Sequence, residues 1–492
     1  MVAPRPGREM GKRFALAAVL IVVLTAGASA TAALLKVSSV ASNLFPSSSH
    51  LGLSTHDLTP SEAGAPQTIM VIGSDKRPQA RSVDSKSPPH SDTMMLVRMD
   101  PNAGQTSVLS IPRDLKVTID TPRGPTVQKI NAAYTLGGST LALDTVKNLL
   151  HIQINHLVDV NFRGFRRAVD ALGCVYADVD RRYFNPSGTG YASIDIQPGY
   201  QRLCGQKALD YVRFRHTDSD FVRVARQQDF IRQFKAQVGL QGVLDHETQL
   251  EQAIGRSVQT DIHSAGETLR LLKLTAFSTS RPVRQVHFQS TAGLSYVTAT
   301  PYDIRQTVHD FLTPSARSRQ PASQRPRALP AGHGRRGRHL RRRVSGGVAL
   351  GLAPVPRSEQ DKLLTSSIGL GFPAYFPRRS LATGSVQTVR RYRVHDTHGF
   401  SHHAYRIVFS RGLVGEYYGF EGTDWRGPPI LARPDRTVVR RGRTYFEVLD
   451  GDHIHVLGWR TANAMYWVSN TLLEGLTNAQ MLAIADSAVP LH

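Results

Sequence analysis

Four segments of the chain gather side chains suited to a divalent cation and a phosphorylated ligand. Gly73-Ser74-Asp75-Lys76-Arg77 closes a short apolar run, and the end of a strand is where ligands meet the mouth of an α/β sheet. Ser91-Asp92-Thr93 opens the next such run. Two carboxylates delivered from separate strand ends suit Mg²⁺, a hard cation that takes one or two carboxylates and completes its octahedron with phosphate oxygens and water. Either aspartate alone would read as a loop or cap residue; together, Asp75 and Asp92 become metal candidates. In Ser110-Ile111-Pro112-Arg113-Asp114 the proline stops a strand and presents Arg113 just past its edge. The densest cluster runs from Asp210 to Phe221 and on through Arg223, Arg226, Gln227 and Gln228. If residues 213–215 are extended, Arg213 and Arg215 point to one side. The spacings of Asp220, Arg223, Arg226 and Gln227 set them along one helical face. Convergent guanidiniums supply the planar paired donors and permanent charge that a pyrophosphate needs. A salt-bridged surface stretch is the competing reading of the same residues.

The elements that must position these groups follow from apolar periodicity. Residues 68–72, 93–98 and 106–111 are short, apolar and β-branched, as buried strands are. Residues 141–150, 162–172, 205–212, 223–238 and 302–312 repeat near 3.6, as helices do. Strands mixed with helices predict an α/β domain over residues 67–313, a mixed central sheet flanked by helices.

Around that domain the chain is organised by charge and composition. Residues 14–35 carry no charge and no proline, enough for about 33 Å of helix, which spans a bilayer. Arg5, Arg8, Lys12 and Arg13 precede it, so the positive-inside bias keeps residues 1–13 cytoplasmic and exports the rest. Ala28-Ser29-Ala30 also fits a signal-peptide cleavage site, a second reading with the same exported product. Residues 36–66, rich in Ser, Ala, Gly and Pro, read as a flexible stalk. The net charge is +22, of which ten arginines between Arg317 and Arg343 supply +10 with no acid among them, leaving +12 elsewhere. Residues 314–371 read as an Arg- and Pro-rich disordered linker. Cys174 and Cys204 are the only cysteines; in an exported chain a disulfide between them fits, and so do two small buried hydrophobes.

These segments, in this order, with Lys129-Ile130-Asn131-Ala132-Ala133-Tyr134 and Val169-Asp170-Ala171-Leu172-Gly173 between them, resemble the LytR-CpsA-Psr family over residues 65–312. The resemblance implies an enzyme anchored outside the membrane that transfers a glycopolymer from a polyprenyl pyrophosphate carrier to peptidoglycan. It assigns Asp75 and Asp92 to Mg²⁺ and sets Arg113, Arg213, Arg215 and Arg223 on the pyrophosphate, for which Arg77 and Arg226 are further candidates from their place in the clusters. Lys129, Asp220 and Gln227 join the pocket, with Asp220 a candidate base, and the lipid tail is expected in an apolar tunnel of the same domain. His90 stands where the family usually has arginine before Ser-Asp, which implies a phosphate contact that is weaker or pH-sensitive.

Other chemistries lack their residues. There is no G-x-x-x-x-G-K-[ST] loop, and His246-Glu247 is followed by Leu250 where a zincin helix needs its second histidine. A nucleic-acid partner is not expected. Residues 372–492 predict a smaller α+β domain, with strand alternation at Tyr405, Ile407 and Phe409, a hairpin turn at Asp450-Gly451-Asp452, and a helix after the capping box of Thr477 and Gln480. Its Tyr417, Tyr418, Trp425, Trp459 and Trp467 are expected to pack a core rather than stack on sugars. His395, His398, His402 and His403 read as a solvated loop. Two further functions stay open: a polyprenyl pyrophosphatase with water as acceptor, and a non-enzymatic wall-binding or regulatory protein.

Overall fold

The computed structural model describes residues 51–75, 89–103, 106–187, 193–214, 218, 220–246, 258–262, 283–313 and 350–491, apart from a few positions within these stretches. The expected membrane helix at residues 14–35 and the arginine run lie outside them. Among the described residues no helix is long and apolar enough to cross a membrane.

The first domain is built on β1 (Gln67–Ser74), β2 (Ser91–Met99), β3 (Thr106–Ile111), β4 (His156–Asn161), β5 (Val258–Thr260) and β6 (Val283–Val286). They form one sheet in the order β5-β4-β1-β2-β3-β6. β1 runs antiparallel to β2 and parallel to β4, so the sheet is mixed. Its helices are α1 (Ala132–Leu150), α2 (Phe162–Ala171), α3 (Gly205–Arg213), α4 (Asp220–Asp245) and α5 (Pro301–Leu312). Strand side chains alternate between faces, and both faces are covered. Met70, Ile72, Met94 and Leu96 pack with Ala142, Leu143 and Val146 of α1 and Phe311 of α5. Met95 and Val108 face Ile231 of α4. Each large apolar side chain so buried contributes about 1.5–3 kcal/mol. This is the α/β architecture that the periodicity predicts.

Of two further expectations, the stalk is corrected and the disulfide is met. Residues 36–66 are not stalk throughout: Leu51, Leu53 and Leu58 pack on the core, and Thr59 N donates to Ile154 O at 2.9 Å. Three leucines in eight residues bury too much apolar surface to stay solvated. Cys174 and Cys204 are bonded, with Cα atoms 4.6 Å apart, joining the turn after α2 to the start of α3.

The C-terminal domain carries a seven-stranded antiparallel sheet. Its strands are β7 (Ser385–His395), β8 (Ser401–Ser410), β9 (Tyr417–Thr423), β10 (Arg436–Arg440), β11 (Arg443–Asp450), β12 (His453–Arg460) and β13 (Met465–Ser469), in the order β7-β8-β9-β13-β12-β11-β10. Two helices accompany it, α6 (Arg357–Ser367) and α7 (Asn478–Asp486), the latter opened by the predicted Thr477–Gln480 capping box. Structure starts earlier than composition suggests. A strand at Leu352–Pro354 and α6 lie inside the segment read as disordered linker, because Leu352, Val355, Leu363 and Leu370 are buried in this domain's core. Trp459, Trp467 and Tyr418 are core residues too. His395 and His398 are exposed as expected, but His402 is not: it stacks on Trp425 at 5.4 Å and its two nitrogens lie 3.3 Å from Asp396 and Asp424.

Candidate active site

The site grows from an irregularity where β1 meets β2. Gly73 is opposite Thr93, but Ser74 is opposite Ser91. Asp92 is therefore the extra residue of a β-bulge, and a bulge re-aims the side chain it carries. The fit opposite is close, since a Cβ at Gly73 would sit 3.2 Å from the Thr93 Cβ and push it by a few tenths of an ångström. Beyond the bulge the pairing closes once more: Asp75 N donates to His90 O at 3.1 Å, and His90 N donates to Asp75 Oδ1 at 2.6 Å. Both metal candidates thus leave the same end of the sheet.

Arg113 arrives from the end of β3. Its Nη1 donates to Asp92 Oδ1 at 2.6 Å, while its Nε is buried with no hydrogen-bond partner. Asp114 lies beside it and holds Lys129 Nζ at 2.9 Å; Lys129 ends the hairpin of Lys116–Thr121 and Gly124–Lys129. Asp92, Arg113, Asp114 and Lys129 form one chain of alternating charge.

Helices close the other side. Arg213 is the last residue of α3, with Nε 3.3 Å from Asp210 Oδ1 and its guanidinium 5.6 Å from the Phe162 ring. Burial raises the Asp210 carboxyl above its ordinary range against the pull of Gln206 and Arg213. Gln227 of α4 donates to Thr93 Oγ1 and to Val212 O, both at 3.0 Å, tying α4 to β2 and α3. Arg223 is buried one turn earlier on α4, and Asp220 opens that helix.

Three sequence readings change. Arg213 is not in a strand, because α3 runs through it; Arg215, like Arg77, lies outside the described residues. Arg226 does not face the site. Its side chain is fully buried, donating to Asp218 and to Phe214 O and lying 4.5 Å from the Tyr183 ring. A long side chain can swing to the far flank of its helix, so shared spacing with Gln227 did not give a shared target. The third change is an addition: Asp159 on β4, unremarked as one polar residue in a strand, is bonded to Ser74 beside Asp75.

Under the bulge, between the sheet and α2, α3 and α4, lies an almost wholly apolar cavity of about 150 Å³. Val71, Met95, Val160, Phe165, Phe230 and Ile231 line it, and Asp92, Thr93, Arg213 and Gln227 are its polar members. A charged cluster therefore opens directly onto an oily space, an arrangement that accommodates an amphiphile with an anionic head.

The LytR_cpsA_psr family model matches residues 35–311. The chain belongs to this family. Among relatives, the "Polyisoprenyl-teichoic acid--peptidoglycan teichoic acid transferase TagU" of Halalkalibacterium halodurans is 37% identical over 190 residues, covering 37% of this chain and 60% of that protein. Its namesake in Enterococcus faecalis is 30% identical over 237 residues, covering 47% of this chain and 74% of the relative. The "Probable cell wall biosynthesis protein LcpB" of Corynebacterium glutamicum is 38% identical over 141 residues, covering 28% and 32%. The crystal structure of B. subtilis TagV is 24% identical with a TM-score of 0.41, covering 51% of this chain and 97% of that one. The family match ends before residue 350, so the C-terminal domain lies outside it.

Proposed function

We propose that this chain is a Mg²⁺-dependent phosphotransferase that moves a glycopolymer from a polyprenyl pyrophosphate carrier to peptidoglycan. It works outside the cytoplasmic membrane, held there by residues 14–35 as a single-pass anchor. The observation that carries this reading is the apolar cavity joined to Asp92, Arg213 and Gln227: a prenyl tail needs the first and its pyrophosphate the second.

The donor set fits a hard cation. Asp75 and Asp92 each engage one carboxylate oxygen among the described contacts, leaving the other for a metal. When bound, Mg²⁺ would supply charge neutralisation on the phosphoryl oxygens. The chain's own residues do the rest. Arg113 and Arg213, with Arg215 and Arg223 completing the set, hold the pyrophosphate and offset charge as the bond breaks. Lys129 and Gln227 orient it. The acceptor hydroxyl oxygen attacks the sugar-side phosphorus, its proton passes to a carboxylate for which Asp220 is the candidate, and prenyl phosphate leaves. Such transfer depends mostly on positioning.

The test uses the purified full chain in detergent with a synthetic polyprenyl pyrophosphate disaccharide, with and without Mg²⁺ and peptidoglycan. Metal-dependent release of prenyl phosphate with sugar gained by peptidoglycan is expected, and Asp75→Asn should abolish it at unchanged melting temperature. Release with free sugar phosphate alone, peptidoglycan present, would identify a pyrophosphatase instead. No release from folded wild type would refute the enzymatic reading.

A further inference from the structure

A third carboxylate reaches the same end of the sheet without touching the pocket. Asp159 of β4 pairs in register with Ile72 of β1 and is 3% exposed. Buried carboxylates are ordinarily paired with a cation. Asp159 instead accepts three hydroxyl hydrogen bonds: Ser74 Oγ to Oδ1 at 3.0 Å, and Tyr134 OH and Ser139 Oγ to Oδ2, both at 2.7 Å. Among the described residues no Lys, Arg or His side chain forms an ion pair with it.

Those three donors sit where the site is shaped. Ser74 is the residue before Asp75. Tyr134 and Ser139 flank a break in α1, where Gly137 (φ −151°, ψ 19°) and Gly138 (φ 68°, ψ −158°) leave helical geometry. The first turn of α1 also touches the approach to Asp92, since Thr135 Oγ1 donates to Pro89 O at 3.1 Å, and His90 follows with its bond to Asp75. Asp159 thus pins the strand end before Asp75 and, through the broken start of α1, the segment leading to Asp92. With no cation paired to it among the described residues, this carboxylate also adds a negative potential that water screens weakly.

We infer that Asp159 is a positioning residue for the metal-holding pair, setting Asp75 by its three hydroxyl bonds and strengthening cation binding by its fixed charge. This rests on Asp75 and Asp92 being metal ligands, as argued above. Outer-shell partners of this kind typically change metal affinity by about 10–100-fold.

The test is Mn²⁺ binding to the full chain in detergent, followed by electron paramagnetic resonance and by melting temperature, with no substrate present. Asp159→Asn keeps the shape and an acceptor oxygen but removes the charge; it should weaken Mn²⁺ binding at least about tenfold while the metal-free melting temperature stays near wild type. Tyr134→Phe removes one donor and keeps the carboxylate, and should cost only a few-fold, as one hydrogen bond does. Unchanged Mn²⁺ affinity in folded Asp159→Asn overturns the inference and leaves the metal reading intact. Absence of Mn²⁺ binding by wild type overturns both. If Asp159→Asn does not fold, Tyr134→Phe decides: weakened binding at unchanged stability supports the inference, and wild-type affinity overturns it.

Discussion

The junction between the domains predicts a stability that falls with rising pH. His455 of β12 is buried with Nε2 3.1 Å from Asp229 Oδ1 of α4 and Nδ1 2.5 Å from Glu474 Oε1. Arg232 faces the same space, donating to Asp229 at 2.7 Å and lying 3.3 Å from Asp450. Burial and Arg232 press the imidazolium pKa down, but Glu474 and Asp229 outweigh them and raise it to about 9. The unfolded value is about 6.5, so the charged ring contributes roughly (9 − 6.5) × 1.36, or about 3 kcal/mol. A raised pKa gives stability that is fully present below about pH 6.5 and is lost as pH climbs through about 9. All three tryptophans lie in the C-terminal domain, so tryptophan fluorescence follows its unfolding in denaturant. Wild type and His455→Gln, measured at pH 6.5, 8 and 10, share every other titration. Their stability difference should shrink by about 3 kcal/mol across that range. Parallel curves would refute the assignment of a charged, doubly held His455.

Two more outcomes follow from the placement of side chains. Arg226→Met should destabilise the first domain by about 3–5 kcal/mol, because it leaves Asp218 short of a buried partner; denaturation measures this, and unchanged stability with a raised KM would instead return Arg226 to the substrate. Val160→Phe intrudes on the cavity, so it should raise KM for long prenyl donors and spare short ones, measured by transfer kinetics across chain lengths; equal effects on both would remove the cavity as the lipid site.

What the sequence made legible was whatever one segment decides alone. Apolar runs placed β1, β2, β3, α2, α3 and α5 within a few residues, since burial dictates period, but missed the first nine residues of α1 and the last seven of α4. The Thr477–Gln480 box located α7 because a cap is local chemistry. The aim of Asp92 was hidden, as a bulge exists only relative to a partner strand. Arg226 was misplaced because helical spacing fixes a Cβ and not the end of a long side chain. Linker composition averaged over residues 314–371 concealed four buried apolar residues near its end. Asp178 and Arg406, bonded across 228 positions, carry no mutual signal in one sequence.

Those long-range contacts bear on how the C-terminal domain is to be tested. Arg406 is buried between Asp178 of the first domain and Glu421 of its own, with Trp467 Nε1 3.4 Å from the same Asp178. Tyr176 and Tyr200 of the first domain pack with Trp425 and Trp467 of the second. Leu472 covers Val222 and Ala225, in the turn of α4 that carries Arg223. Removing residues 314–492 would strip an apolar face, leave Asp178 without Arg406, and take His455 and Asp450 from the Asp229–Arg232 pair, a cost of several kcal/mol for buried charges. Loss of function on deletion would therefore report damage to α4, not loss of a wall-binding module. Only point substitutions on the solvent face of β7 or β10, which leave the junction closed, can separate a binding role from this structural one.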